Sequence, residues 1–150
     1  MYDLRDLYQE VVLDHNRRPR NFRKLEDATG TASGFNPLCG DEIKLYLKIE
    51  DDVITDVGFE AVGCAISKAS ASMMTENIKG KTLTDAKQTF SEFRRMITQK
   101  ADDIDYDILG DLEILEGVSE YPARIKCAVL SWHTLNAAMN DGAQESISTE

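Results

Sequence analysis

Glu42-Ile-Lys-Leu-Tyr-Leu-Lys-Ile-Glu-Asp-Asp-Val-Ile-Thr-Asp-Val-Gly-Phe-Glu-Ala61 carries the clearest structural signal in this chain of 150 residues. Ile43, Leu45, Leu47 and Ile49 alternate with Glu42, Lys44, Tyr46 and Lys48. A period of two puts the apolar set on one side of a strand and the polar set on the other, as in a sheet with one wet face. Val53, Val57, Phe59 and Ala61 continue the pattern after a short acidic turn at Asp51-Asp52, so the segment predicts a β-hairpin. A third strand is expected near Thr29 to Gly34, inside a turn-rich stretch that runs to Gly40 and includes Pro37.

Helical periods dominate on both sides of this hairpin. Asp3 to about Asn16 predicts a helix: Leu4, Leu7, Tyr8, Val11 and Val12 fall on one stripe, and Asp3 can cap its start. The basic segment with Pro19 ends it. Cys64 to Lys79 is rich in alanine and serine and stops at Gly80; Met73 and Met74 within it read as core filler. Leu83, Ala86, Phe90, Phe93 and Ile97 form another stripe, opened by the capping-box-like Thr82-x-x-Asp85. A short acidic helix or loop covers Asp102 to Glu116. The last helix starts at Pro122, a residue suited to a first helical position, and buries Ile125, Val129, Trp132, Leu135 and Met139. Strands first and helices afterwards predict an α+β domain over residues 1–140, a small antiparallel sheet of about three strands packed against several helices. Residues 141–150 read as a frayed polar tail.

A chain of this size can bury roughly two thirds of its unfolded surface. Hydrophobic residues make up 42% and charged residues 29%, ordinary for a globular protein. No apolar run approaches the ~20 residues needed to cross a bilayer, and the first ten residues have no signal-peptide pattern, so a cytoplasmic location is expected with no membrane partner. Three cysteines in a reducing compartment argue against a disulfide framework. The net charge of −10 speaks against nucleic acid as a ligand. Charge is unevenly spread: Arg17, Arg18, Arg20, Arg23 and Lys24 have no acid among them, whereas Asp102 to Glu120 holds eight acids and no base. These segments are solvated faces or a docking surface for a protein partner.

The cysteines give the chemistry. Cys39 and Asp41 are separated by one glycine at the entry to the first clear strand, so thiol and carboxylate point to the same side. Gly40 permits a close backbone approach to a ligand. Cys64, preceded by Gly63, sits where a strand gives way to a helix, where the macrodipole favours thiolate. Cys127 falls in the second turn of the last helix. Three thiolates and one carboxylate suit tetrahedral Zn²⁺, and thiolates also suit a transient iron–sulfur cluster. Gaps of 25 and 63 residues match no common zinc module, and on spacing alone scattered structural cysteines are the better account. His15 reads as a helix-end residue and His133, on another helical face from Cys127, as a structural one. Lys126 either offsets thiolate charge or is solvated. Ser67, Ser70 and Ser72 have no base that the sequence identifies.

Asn36-Pro-Leu-Cys-Gly-Asp41, Gly63-Cys-Ala-Ile-Ser-Lys-Ala-Ser70 and Pro122-Ala-Arg-Ile-Lys-Cys127 resemble, in order, the three cysteine motifs of the U-type iron–sulfur cluster assembly family, which includes IscU, the N-terminal part of NifU, and SufU. The resemblance extends from the first helix to Met139 and implies the SufU/IscU-like α+β fold. Lys126 stands where IscU-type scaffolds carry a histidine, and the segment between the second and third cysteines is longer by roughly twenty residues, around Phe90 to Asp111; both features resemble the SufU branch. The resemblance implies a Zn²⁺ site at Cys39, Asp41, Cys64 and Cys127, with Cys39 accepting persulfide sulfur as the catalytic residue. It implies a SufS-like, pyridoxal-phosphate (PLP) dependent cysteine desulfurase as partner, and downstream Fe–S assembly proteins. The expected function is therefore a zinc-dependent sulfurtransferase. The alternatives are a scaffold that assembles and passes on a [2Fe–2S] cluster, and a zinc-stabilised binding module without sulfur chemistry.

Overall fold

The computed structural model describes residues 4–99, 102–141 and 145–148, and for residues 4–5, 141 and 145–148 it describes the backbone. The hairpin forms as its alternation predicts. Strand β2 (Asp41–Glu50) pairs antiparallel with β3 (Val53–Val62), from Glu42 opposite Val62 to Glu50 opposite Val53, with one bulge between Lys48 and Ile49. Asp51 and Asp52 connect them at φ 52° and 63°. Two consecutive left-handed residues make the tight turn whose twist matches that of the strands, and Asp tolerates this region better than most side chains. The third expected strand is β1 (Gly30–Asn36), which pairs antiparallel with β2 from Gly30 opposite Leu47 to Asn36 opposite Asp41. The sheet order is β3-β2-β1-β4.

The edge strand β4 (Glu145–Ser148) runs parallel to β1, with Glu145 opposite Ala32. It lies within residues 141–150, where a frayed tail was expected. Four residues are too short for a periodicity signal, and the open edge of β1 supplies the pairing.

Helices cover the apolar face. Helix α1 (Leu4–Arg17) and α5 (Pro122–Asp141) both pack on α2 (Ala65–Ile78), and α2 and α5 pack on the sheet. The cap expected from Asp3 lies outside the described residues. The small residues of α2 allow close packing: Ala69, Ser70, Ala71 and Ser72 are fully buried, and Ser70 donates to the Ala128 carbonyl at 2.6 Å. Met73 and Met74 fill the core beside them, as expected. Gly80 follows the end of α2 at φ +89°.

Thr82 caps α3 (Leu83–Arg94), its side chain accepting from the Asp85 amide at 3.1 Å. The helical run continues into a π-helical turn, Arg95–Gln99, that buries Met96 and Ile97. The acidic stretch becomes a short helix α4 (Tyr106–Leu109), capped by Asp105, and a 3₁₀ run over Gly110–Glu120. Phe93 and Trp132 stack at 4.8 Å between ring centroids, tying α3 to α5.

Tyr46 departs from the alternation. It was expected on the wet face, yet it is buried, and its hydroxyl donates to Glu60 at 2.6 Å. Its cross-strand partner is Gly58, against which the Arg23 carbonyl and Leu25 pack so closely that a Cβ on Gly58 would lie 2.4 Å from that carbonyl. The chain after α1 thus folds back over this part of the outer face. Burial, with help from Glu60, pushes the Tyr46 phenol up to about 12.

Candidate metal centre

The β1–β2 connection is a tight turn in which the Asn36 carbonyl accepts the amides of Cys39 (3.3 Å) and Gly40 (2.9 Å). Gly40 adopts φ +71°, which costs glycine little, and returns the chain into β2 at Asp41. Asn36 and Asp41 close the hairpin as a cross-strand pair on the inward face, and both are fully buried. Cys39 projects half-buried from the turn between them.

The second segment arrives along β3. Gly63, at φ +137°, allows the chain to pass directly against Asp41: a Cβ there would lie 2.2 Å from Asp41 Oδ1. The Cys64 amide donates to that same oxygen at 2.7 Å, and the Cys64 thiol reaches Asp41 Oδ2 at 3.6 Å. Cys64 is also the N-cap of α2, its sulfur accepting from the Ser67 amide at 3.4 Å. A sulfur in that place faces the positive end of the helix dipole.

The third segment is the start of α5. Cys127 is fully buried, with its Sγ 3.3 Å from Cys39 Sγ, and it accepts from Asn36 Nδ2 at 3.5 Å. Arg124, one turn earlier, places Nη1 3.6 Å from Cys39 Sγ. The Arg124 guanidinium is held above its usual range by a hydrogen bond to Cys127 and by the charges of Cys64, Cys127 and Cys39. Burial, reinforced by hydrogen bonds with Cys39 and Asp41, pushes the Cys127 thiol well above the ordinary thiol range. A cation at this point would reverse that balance, because a coordinated thiol is deprotonated.

Of the four residues expected as ligands, the fold brings Cys39, Asp41 and Cys127 together with donor atoms within 4.8 Å of one another. Cys64 lies outside that group of three and joins it through Asp41. All three thiols are free, as a metal site requires. The donor set, soft sulfurs with one hard oxygen in a mostly buried position, fits a zinc ion. Arg124 and Asn36 were not singled out from the sequence, although both stand inside the cysteine motifs. The available signal was the helical spacing from Arg124 to Cys127 and the inward place of Asn36 in the alternation of β1.

The remaining candidates are structural. His15 is buried, and its Nδ1 lies 2.7 Å from Ser72 Oγ. That serine has a neighbouring base after all, but it is fully buried and accepts the Arg20 amide at 2.8 Å, which makes it a tie between the basic segment and α2. His133 is half-buried, edge-on to Phe90 at 5.4 Å. In the basic segment, Arg18 and Arg20 pair with Asp14 at 3.6 and 2.7 Å and Arg23 pairs with Asp56 at 2.6 Å, so three of its cations are engaged within the fold. In the acidic stretch, Asp103 pairs with Arg95.

Among the described residues no helix is long and apolar enough to cross a membrane. Residues 7–141 match the model of the NifU-like N-terminal domain family. The chain is 47% identical over 133 residues to the zinc-dependent sulfurtransferase SufU of Bacillus subtilis, an alignment covering 89% of each chain. It is 40% identical over 133 residues to the iron–sulfur cluster assembly scaffold protein IscU of Thermotoga maritima, covering 89% of this chain and 92% of that one. Its fold is similar to the crystal structure of a candidate iron–sulfur cluster assembly scaffold protein for the SUF system from Fervidobacterium islandicum, with a TM-score of 0.83 and 37% identity, over 87% of this chain and 95% of the other. The clustered Cys39, Asp41 and Cys127 on this α+β frame, with similarity along nearly the whole chain, establish that the protein belongs to the NifU-like N-terminal domain family of iron–sulfur cluster assembly proteins, the family of SufU and IscU.

Proposed function

We propose that this protein is a zinc-dependent sulfurtransferase that accepts sulfur from a cysteine desulfurase, with Cys39 as the acceptor. The observation that carries the reading is the place of Cys39: half-buried on a turn, 3.6 Å from the Arg124 guanidinium, beside a buried Asp41 and Cys127. The similarity to the sulfurtransferase SufU supports it. Cys39, Asp41, Cys64 and Cys127 would hold the zinc. When bound, zinc supplies positive charge that keeps the thiols ionised at neutral pH.

The residues divide the remaining work. Asp41 and Cys127 are fully buried in the sheet and in α5, and Cys64 is fixed by its capping role, so these three hold position. Cys39 lies on the turn with Gly40 after it and can swing outward with least disturbance. Its thiolate attacks the terminal sulfur of a persulfide on the desulfurase. The new bond joins Cys39 sulfur to that sulfur, the sulfur–sulfur bond of the donor breaks, and the desulfurase cysteine leaves as thiolate. Arg124 offsets the charge on Cys39 as the donor approaches. Leu38, 71% exposed, and Val62, 63% exposed, flank Cys39 and Cys64 and give a protein donor an apolar rim to pack on.

The test is mass spectrometry after incubation with a PLP-dependent cysteine desulfurase and cysteine. One added sulfur atom should map to Cys39 and be absent from Cys39→Ser protein that still holds zinc. Persulfide on Cys64 or Cys127 with Cys39 unmodified would defeat the assignment of roles. The scaffold reading keeps the support of relatives named as IscU scaffolds. Protein purified without oxygen that contains iron and acid-labile sulfide, and no zinc, would decide for it.

A further inference from the structure

Asn36 takes no part in the sulfur chemistry above, yet its side chain is fully buried at the site. An amide removed from water persists where its hydrogen bonds are made. Its Oδ1 accepts the Leu38 amide at 3.2 Å, inside the turn that carries Cys39. Its Nδ2 donates to Cys127 Sγ at 3.5 Å. The first bond fixes the second: with the oxygen held by a main-chain N–H, the NH₂ group must face the sulfur. The Asn36 carbonyl meanwhile accepts the Cys39 and Gly40 amides. One residue therefore sets the turn that bears Cys39 and addresses the sulfur of Cys127, which lies 91 positions along the chain.

We infer that Asn36 is a positioning residue of the metal centre, donating through its amide to the Cys127 thiolate and coupling the set of the Cys39 turn to that sulfur. The inference rests on the zinc reading given above. A metal-bound thiolate keeps lone pairs that an N–H can engage; the bond orients the sulfur and draws off part of its charge, as outer partners of metal ligands do. Holding Cys127 in this way leaves Cys39 as the less constrained thiol of the adjacent pair.

The two jobs of the side chain separate in Asn36→Asp. This change keeps the shape and the oxygen that accepts from Leu38, and it puts an oxygen in place of the donor facing sulfur. Zinc affinity, measured by competition with a chelator, should fall by about 10–100-fold. In cobalt-substituted protein the sulfur-to-cobalt charge-transfer band should move to lower energy, because the unshared sulfur gives up electrons more readily, while the tetrahedral ligand-field pattern stays. The added negative charge beside the cation on its own favours metal binding, so a role confined to the turn leaves zinc affinity at or above that of wild type in the aspartate variant. Affinity at or above wild type would therefore overturn the inference. The wild-type protein gives a test that does not depend on the variant folding. Loaded with a spin-active cadmium isotope and isotope-labelled, it should show a scalar correlation between the Asn36 side-chain amide proton and cadmium, relayed through the Cys127 sulfur. Cadmium bound by the cysteines with no such correlation overturns this inference alone. Protein that takes up no cadmium overturns it together with the zinc reading.

Discussion

Gly63→Ala should damage the site without touching a ligand. A Cβ at this position would lie 2.2 Å from Asp41 Oδ1, 2.7 Å from Asp41 Cα and 3.0 Å from Asp41 Cγ. A carboxylate oxygen can rotate away, but the Cα is backbone, so β2 and the β3–α2 junction must separate. Gly63 also adopts φ +137°, where an alanine incurs about 1–3 kcal/mol of strain. Moving Asp41 breaks the 2.7 Å bond from the Cys64 amide, and a hydrogen bond to a charged group contributes about 1.5–3 kcal/mol. Together these amount to about 2.5–6 kcal/mol of folding stability in the chelated protein. Gly40→Ala is the control. Its φ is +71° but nothing lies within 4 Å of the added Cβ, so backbone strain of about 1–2 kcal/mol stands alone. Equilibrium urea unfolding in the presence of chelator measures both. Chelator competition should then show weaker zinc binding for Gly63→Ala than for Gly40→Ala. Equal destabilisation by the two alanines would refute the claim that close approach at Gly63 sets Asp41.

Three further outcomes are expected. Removing zinc should lower the melting temperature by about 5–10 °C, because a ligand at a hundredfold its dissociation constant contributes about 2.7 kcal/mol and each kcal/mol moves a domain of this size by about 2–4 °C; an unchanged calorimetric transition would count against a structural share for the metal. Arg124→Ala should slow persulfide transfer to Cys39 with zinc still bound, since Arg124 is exposed and sits beside the acceptor sulfur rather than in the core; a transfer rate equal to wild type would remove its role. The pH dependence should follow His15 and His133, both of which burial holds below the usual value of 6.5. The unfolded chain then takes up the proton first, so stability is full above 6.5 and declines as pH falls from there toward the folded values. Asp14, held below 3.8 by its bond to Arg20, begins to lose its contribution only as pH falls below 3.8. His15→Gln should flatten the decline below 6.5, and an unchanged slope in urea titrations would assign it to other groups.

The β2–β3 hairpin, the start of α3 at Thr82 and the stripe of α5 could be read directly from the sequence, because each depends on neighbours a few residues apart. Alternation, a capping hydroxyl and a period near 3.6 are local properties, and the core at Leu45, Leu47, Phe59 and Trp132 follows from them. The cysteine motifs, recognised as a set, likewise pointed to Cys39, Asp41 and Cys127, whose donor atoms the fold brings within 4.8 Å of one another. Spacing did not tell their geometry. Cys39 and Cys127 are 88 positions apart, and only the packing of α5 on the sheet brings their sulfurs to 3.3 Å. The same packing turns Asn36 toward Cys127 and Arg124 toward Cys39, and it leaves Cys64 joined to the others through Asp41. Tyr46 is buried because a segment twenty residues earlier folds over Gly58, which no alternation in β2 can express. Ion pairing is likewise non-local: the basic segment is continuous in sequence, but Asp14 and Asp56 reach Arg20 and Arg23 from elements on either side of it. Side-chain period is set by backbone geometry within one element, whereas ligand convergence and ion pairing are set by distances between elements, and those exist only once the chain has closed its core.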